Sequence, residues 1–451
     1  MAVNQDLYSS ASSSLCWAIA QRIHDDPHQR ITFAEYMDLA LYHPEWGYYA
    51  SQRSPIGAQG DFVTSPHMSA DFGELLAEQF ADMWNRLGQP CPFHLVEMGA
   101  GQGLIVRDVL DYLHRHHFEC FEAMQYLIVE KSAALIAEQK RQIAVFSSLS
   151  EAQAQIQWVQ WTDIPAGSIT GCFFSNELVD ALPVHQVMVK DQALQEVYVR
   201  LQNFDPVSQI LREGTDSFNS APPQFAETIG SLSTPDLQHY FDPLNIDLSA
   251  DAYPEGYRTE VNLNAIDWLQ TVAQRLQRGY VLTIDYGYPA RRLYNPARTH
   301  GTLQCYYRHG HHSDPYVHVG QQDITAHVDF TTLEQQGGQA GLQSLGMTQQ
   351  GMFLMALGLG DRIAALSYAQ VEPVGTSETL QTQPSPNQAS DREPQLMSMN
   401  DVLRRREALH ALMNPMGMGN FQVLLQSKGL TLEEQNRPLK GFDIPPLSAL
   451  G

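Results

Sequence analysis

The chain has 451 residues, 43% of them hydrophobic and 17% charged, a globular composition with two to three domains' worth of sequence or one large elaborated domain. Lys and Arg number 27 against 50 Asp and Glu, a formal charge of −23. A field of that sign repels phosphate backbones and anionic lipid, and no basic patch offsets it, so no nucleic-acid partner is expected.

In chain order, residues 12–25 have helical spacing, with Leu15, Ala18, Ile19 and Ile23 on one face. Thr32 followed by Glu35 has the pattern of a capping box that restarts a helix. Leu41 to Tyr49 is an aromatic loop punctuated by Pro44 and Gly47, and these pieces make residues 1–60 an N-terminal helical extension. Ser69 to Arg86 is an amphipathic helix with Phe72, Leu75, Leu76, Phe80 and Met83 as its stripe. Strands then alternate with helices: Phe93–Glu97, helix Leu104–His114, Tyr126–Glu130, helix Ser132–Gln142, Ile156–Gln160 and Gly171–Ser175. That alternation predicts an α/β fold with a mostly parallel sheet and helices on both faces. The first part of this core spans 61–201 and closes on a hairpin over 184–201. Residues 202–262 are Pro-rich and read as an inserted subdomain. A second core part with a substrate loop covers 263–368, with a helix over Leu263–Leu276 leading into the buried strand Tyr280–Asp285. The stretch 369–399 is polar and read as a disordered linker, and 400–451 brings a helix at 400–413 and a strand at Phe421–Leu425 that complete the core.

Cys16, Cys91, Cys120, Cys172 and Cys305 are far apart and form no CxxC pair, which argues against disulfides or a zinc knuckle. No apolar run approaches the ~18–20 residues that span a bilayer, so no membrane insertion is expected. The N-terminal residues, with Asp6, Asp25 and Asp26, resemble neither a secretory leader nor an Arg-rich transit peptide, and a cytoplasmic location is the expectation.

The segment Leu95–Gly103 holds Glu97 at a strand end, then Gly99, Gly101 and Gly103 before a helix. Glycines there let the backbone turn sharply and lie directly against a cofactor. The spacing is GxGxG, and a carboxylate two places before the first glycine suits a cationic amino-acid-type ligand better than a pyrophosphate. Glu130, ending the next strand, can accept ribose hydroxyls, and Asp163 after the third strand can accept an adenine amino group or cap its own loop. Taken alone, this set says adenosine cofactor and leaves S-adenosylmethionine (SAM) and NAD both open.

The fourth strand runs into Ser175-Asn-Glu-Leu-Val-Asp-Ala-Leu-Pro-Val-His185. Strand carboxyl ends face the ligand crevice in an open parallel sheet, which aims Asn176, Glu177 and Asp180 at the acceptor side. A Glu177–Asp180 pair can hold a guanidinium and draw charge from its nitrogen, with Asp61 or His185 as proton acceptors. Tyr306, Tyr307 and Tyr316 can contact an incoming peptide segment. The run Arg308-His-Gly-His-His312 lacks a Cys or a helical His pair and reads as a polar loop; no metal is expected.

Together with the glycine loop, Tyr42–Tyr49, Gly60–Pro66, Phe72–Glu74, Asn176–His185, Ile284–Gly287, Gly301-Thr-Leu and Asp323–Phe330 make the chain resemble the MidA family of SAM-dependent methyltransferases. That family is related to a mitochondrial complex I assembly factor. The likeness spans roughly residues 30–335. It implies a class I, Rossmann-like methyltransferase core with family-specific helical and hairpin insertions, and S-adenosyl-L-methionine as cofactor. It further implies symmetric methylation of a protein arginine, on a 49-kDa-type subunit of complex I or of an NDH-type dehydrogenase during assembly. Gly99, Gly101 and Gly103 would then contact SAM and Glu130 its ribose, with Asn176, Glu177 and Asp180 lining the acceptor side. Where the family has a Glu after Thr-Ser-Pro, this chain has His67, set here on the substrate side. The aromatic surface near Trp46 and Tyr48 could pair subunits in a homodimer or bind substrate. The rival readings are a non-catalytic SAM-binding assembly chaperone and an NAD-dependent oxidoreductase.

Overall fold

Seven strands form the main sheet in the computed structural model, which describes residues 2–50, 64–144, 156–202, 221–367 and 398–443. They are β1 (Phe93–Met98), β2 (Met124–Val129), β3 (Ile156–Val159), β4 (Ile169–Asn176), β5 (Leu276–Asp285), β6 (Gln343–Gln349) and β7 (Gln422–Lys428). Their order is β6-β7-β5-β4-β1-β2-β3. Strands β3, β2, β1, β4 and β5 pair in parallel, while β7 runs antiparallel to both β5 and β6. The chain winds outward from β1 to β3 and then returns to the other side of β1 to lay down β4. The carboxyl ends of β1 and β4 therefore flank a switch point, where such sheets open a ligand crevice.

Side-chain alternation along β1 shows why both faces must be covered. Phe93 and Leu95 enter one core with the helix Asp71–Arg86 (α1) and the helix Leu104–His116 (α2). Val96 and Met98 enter the other, with helices Leu263–Arg275 (α4) and Phe330–Gln339 (α5), while Ala133–Ala144 (α3) follows β2. Every predicted stripe residue of α1 is at most 1% exposed. Each fully buried large apolar side chain contributes roughly 1.5–3 kcal/mol. The helix Met399–Met413 (α6) is held to α1 by charge: Arg405 donates to both carboxylate oxygens of Asp71, at 2.8 and 2.6 Å, and Arg362 of the helix Leu359–Ser367 adds a bond of 2.7 Å.

A second, five-stranded antiparallel sheet joins Ile31–Thr32, the hairpin His185–Lys190 and Ala193–Leu201, Phe225–Gly230 and Arg258–Val261. The hairpin is where the sequence places it, but the following segment adds strands to the hairpin's own sheet. Residues of the N-terminal extension pack on this sheet through Phe33, Tyr36 and Leu41. Thr32 caps the helix Phe33–Tyr42, its hydroxyl accepting from the Glu35 amide at 3.1 Å; the Glu35 carboxylate is paired with Arg22 at 2.6 Å. Of the five cysteines, Cys91 is exposed and the others are buried thiols. The linker expected over 369–399 lies almost wholly outside the described residues. Among the described residues no helix is long and apolar enough to cross a membrane.

Candidate functional site

The glycine loop takes backbone conformations that other residues adopt only under strain. Gly99, Gly101 and Gly103 have φ of 70°, 51° and 81°. Two of them are also pinned by neighbours: a Cβ on Gly99 would lie 2.7 Å from Leu178, and one on Gly103 would press on Gln139. A Cβ on Gly101 would meet nothing within 4 Å among the described residues, so that face of the loop is open to them. Gln139 of α3 donates to the Gly101 carbonyl at 2.9 Å and to Glu130 at 3.3 Å, tying the loop to the end of β2. Glu130 also accepts from the amides of Lys131 and Ser132 at 2.8 and 2.9 Å, which fixes its carboxyl at the strand end. Glu97 is 2% exposed and accepts from the Tyr126 hydroxyl at 2.6 Å. Burial lifts its carboxyl to about 8, with Glu130's charge adding to the effect, so it is a buried anchor of the β1 end.

On the other side of the switch point, β4 ends at Asn176 and the chain turns through Glu177 in the left-handed region, φ 51°. A non-glycine residue there costs about 1 kcal/mol, and the turn is held by Asp285 at the end of β5. The Asp285 carboxylate accepts from the amides of Val179, Asp180 and Tyr286 at 2.9, 3.3 and 2.8 Å. The result is a cleft of about 330 Å³ whose wall carries three carboxylates, Glu177, Asp180 and Asp323, and the rings of Tyr49, Tyr286 and Tyr306. Tyr49 donates to Asp323 at 2.9 Å, and Tyr286 donates to Asp180. Glu177 accepts from the Ser65 amide at 3.2 Å and the Asn176 side chain at 3.1 Å. Burial, reinforced by the charge of Asp180, lifts the Glu177 carboxyl to about 8; burial also lifts Asp180 and Asp285. Two buried acceptor oxygens, Asn176 Oδ1 and Asp180 Oδ1, have no donor among the described residues. Of these two residues Asp180 lines the cleft, and an acidic, aromatic wall of this kind suits a cationic donor.

Several expected site residues stand elsewhere. His185 pairs with Glu196 at 2.8 Å inside the second sheet and does not line the cleft. Asp163 spends its carboxylate on the Gln160 amide at 2.8 Å, capping its own turn. Of the three tyrosines, only Tyr306 lines the cleft. Strand alternation over Gln304–Tyr307 sends Tyr307 the other way, where it stacks on His318 with ring centroids 3.9 Å apart. Tyr316 packs against Phe33 and Tyr36 and donates to Glu227 at 3.0 Å. His67 sits beside the cofactor loop, its Nε2 3.2 Å from Gln102 Oε1 and its Nδ1 2.6 Å from the Thr64 hydroxyl. Burial depresses its pKa, and the bond to Gln102 works against that. Asp61 lies outside the described residues. Asp323, Asp285 and Gln139 were given no role from the sequence. Asp323 and Asp285 fall in segments that carry the family resemblance, whereas Gln139 has no signal beyond its helix.

The sheet order, with β7 reversed, and the glycine loop at the switch point define a Rossmann-like α/β fold with a nucleotide-cofactor crevice. Residues 75–348 match the model of a family described as "Putative S-adenosyl-L-methionine-dependent methyltransferase". The chain is 30% identical over 374 residues to the Homo sapiens "Protein arginine methyltransferase NDUFAF7, mitochondrial", covering 78% of this chain and 75% of that one. It is 29% identical over 347 residues to the Drosophila melanogaster homolog, covering 72% and 71%. A COG1565 superfamily member from Burkholderia thailandensis, solved bound to S-adenosyl-homocysteine, superposes with a TM-score of 0.74 at 26% identity over 97% of this chain and 96% of that one. The chain belongs to this family of SAM-dependent methyltransferases, the MidA group it resembles in sequence. Its cofactor is SAM, which sets the NAD reading aside. The cytoplasmic expectation is corrected by the same comparison: the curated relatives are named mitochondrial proteins.

SAM supplies a methyl group already activated on a sulfonium. The open face at Gly101 and the carboxyl of Glu130 are the features that fit it. Gly101→Val should leave the chain folded, because the new side chain meets no atom of the described residues and costs about 1–2 kcal/mol in backbone conformation. Calorimetry should show SAM affinity reduced by at least roughly ten-fold, since the branched side chain occupies the cofactor's space. Unaltered affinity would place the cofactor off this loop.

Proposed function

We propose that the enzyme methylates an arginine side chain of a protein, with the guanidinium held in the acidic cleft. The observation that carries this reading is the set of carboxylates lining the cleft, Glu177, Asp180 and Asp323, with Asp180 Oδ1 lacking a donor among the described residues. A guanidinium offers five donors in a plane and always carries its charge, so it can meet several such acceptors at once. An ammonium offers a compact point charge and matches the spread less well. Glu177 and Asp180 orient the group and polarise the attacking nitrogen, and the tyrosines supply ring faces for the cation. The names of the curated relatives support the same acceptor class. The finer part of the reading, carried by the family resemblance, is symmetric methylation of a 49-kDa-type subunit of respiratory complex I during its assembly. The test is labelled SAM with lysate from a deletion strain: label should appear on arginine of such a subunit, and label confined to another residue type would refute the acceptor class.

Two further results follow from the geometry. Burial holds the carboxyls of the free cleft partly protonated, Asp180 with a pKa of about 6 and Glu177 of about 8, the charge of Asp180 adding to the rise at Glu177. Both must ionise to receive the cation, so kcat/KM for the acceptor should rise with pH through that window. In the bound state the cation favours the ionised forms, and kcat should level off at lower pH. A flat kcat/KM between these limits would show that neither carboxyl meets the acceptor.

Tyr306→Ala should raise the acceptor KM about five-fold or more by removing a ring from the wall, whereas Tyr307→Ala should leave it within about two-fold. Equal effects would contradict the assignment of opposite faces to the two rings.

A further inference from the structure

The cleft has a second chemical character at the wall formed by Tyr288 and His327. The Arg292 guanidinium lies over the Tyr288 ring, its carbon 4.1 Å from the ring centroid, and that of Arg298 lies 5.0 Å from the same centroid. Both also act on His327, whose pKa is depressed to about 4 by burial first and then by Arg298 and Arg292. Among the described residues neither arginine has a carboxylate within ion-pair distance, although the chain carries 50 acidic residues against 27 basic ones. Arg298 gives one bond to the Leu293 carbonyl at 3.2 Å, and Arg292 is exposed. A guanidinium held over a tyrosine ring keeps N–H groups available for a planar anion, and neither arginine spends all of its donors among the described residues.

We infer that Arg292 and Arg298, stacked on Tyr288 at the cleft wall, recognise a carboxylate side chain close to the acceptor arginine in the substrate protein. The inference rests on the arginine-acceptor reading. The acidic wall takes the acceptor cation, and the two arginines take an Asp or Glu of the same segment. A substrate stretch carrying both signs then binds in one direction only, because reversal sets like charges against each other. A segment with a second cation at the flanking position is disfavoured for the same reason.

The test uses the full-length enzyme, SAM and a series of short peptides with one arginine. A single Glu, Gln or Lys is moved through the positions on either side. At one or more positions Glu should lower KM by about three- to five-fold relative to Gln, and Lys should raise it, with kcat little altered. The preference should shrink as salt is added. Arg292→Glu should invert it, making Lys the favoured residue at that position, an outcome that loss of packing does not produce. Should Arg292→Glu fail to fold, Arg292→Gln should abolish the preference, and the salt dependence of the wild-type preference supplies a variant-free test. If arginine is methylated at equal KM with Glu, Gln and Lys at every position, the carboxylate subsite is overturned and the arginine reading stands. If SAM binds but no peptide is methylated on arginine, the arginine reading falls and the subsite falls with it.

Discussion

Glu177→Gln should lower kcat by roughly a hundred- to a thousand-fold while SAM binding, followed by calorimetry, stays the same. The substitution keeps the side chain's size and an oxygen that accepts from the Ser65 amide, and it does not disturb the left-handed turn at φ 51°. What it removes is the negative charge facing the acceptor. A neutral carboxamide cannot offset the guanidinium's charge as its nitrogen attacks, and its NH₂ group presents donors where acceptors are needed. On the proposed placement of SAM, cofactor binding should survive because the glycine loop follows β1 and Glu130 follows β2, on the other side of the switch point. Turnover at the wild-type rate would remove Glu177 from the chemistry.

Asp71→Asn is expected to have the largest effect on stability, at about 2–3 kcal/mol in chemical denaturation. Asp71 is 2% exposed and meets Arg405 and Arg362 together, so the substitution leaves Arg405 without its carboxylate partner and Arg362 with Glu74 alone. Arg405 is 39% exposed, and water lessens the penalty on its side. The carboxyl's pKa gives the same scale. Burial alone would raise it, but Arg405, Ser69 and Arg362 hold it at about 2 against an ordinary 3.8. A depressed folded-state pKa means that the stabilisation is present above pH ~4 and is lost as pH falls from about 4 to about 2. Linkage puts it at about 2 kcal/mol. Asp71→Asn should lower stability at neutral pH and flatten that acid limb. An unchanged acid limb would show that the network does not join α6 to α1 in solution.

The core of the fold is legible because each early strand is an apolar run ending at a polar or glycine turn. The pairing of β1 with β2 and β4 then follows from their alternation with helices. Strand β6 could not be read in this way. Its sequence Gln-Ser-Leu-Gly-Met-Thr-Gln is an edge strand with four exposed residues of seven, and it carries no apolar period. The same distinction holds at the site. The position of Glu177 and Asp180 at the crevice was legible because strand ends face it, and Asn176 lies beside Glu177. Asp323 came from a distant strand, and only the folded chain brings it beside them. Tyr306 and Tyr307 differ by one residue, and their two fates depend on register, which neighbouring aromatic residues do not declare. His185 looked available because its partner Glu196 lies across a hairpin, beyond the reach of a local reading. Asp163 was a balanced choice between adenine and its own turn, and in the structure its carboxylate caps the turn.

The most direct measurement is the chemical identity of the methylated residue. The enzyme is incubated with isotopically labelled SAM and its protein acceptor, the product is hydrolysed, and the labelled amino acid is identified by mass spectrometry, with Glu177→Gln run in parallel. Label on the guanidinium nitrogens of arginine, absent with Glu177→Gln, is the expected result. Label on lysine, on a carboxylate or on a small molecule, or label on arginine that persists in Glu177→Gln, would contradict the assignment of the acidic cleft as the guanidinium site.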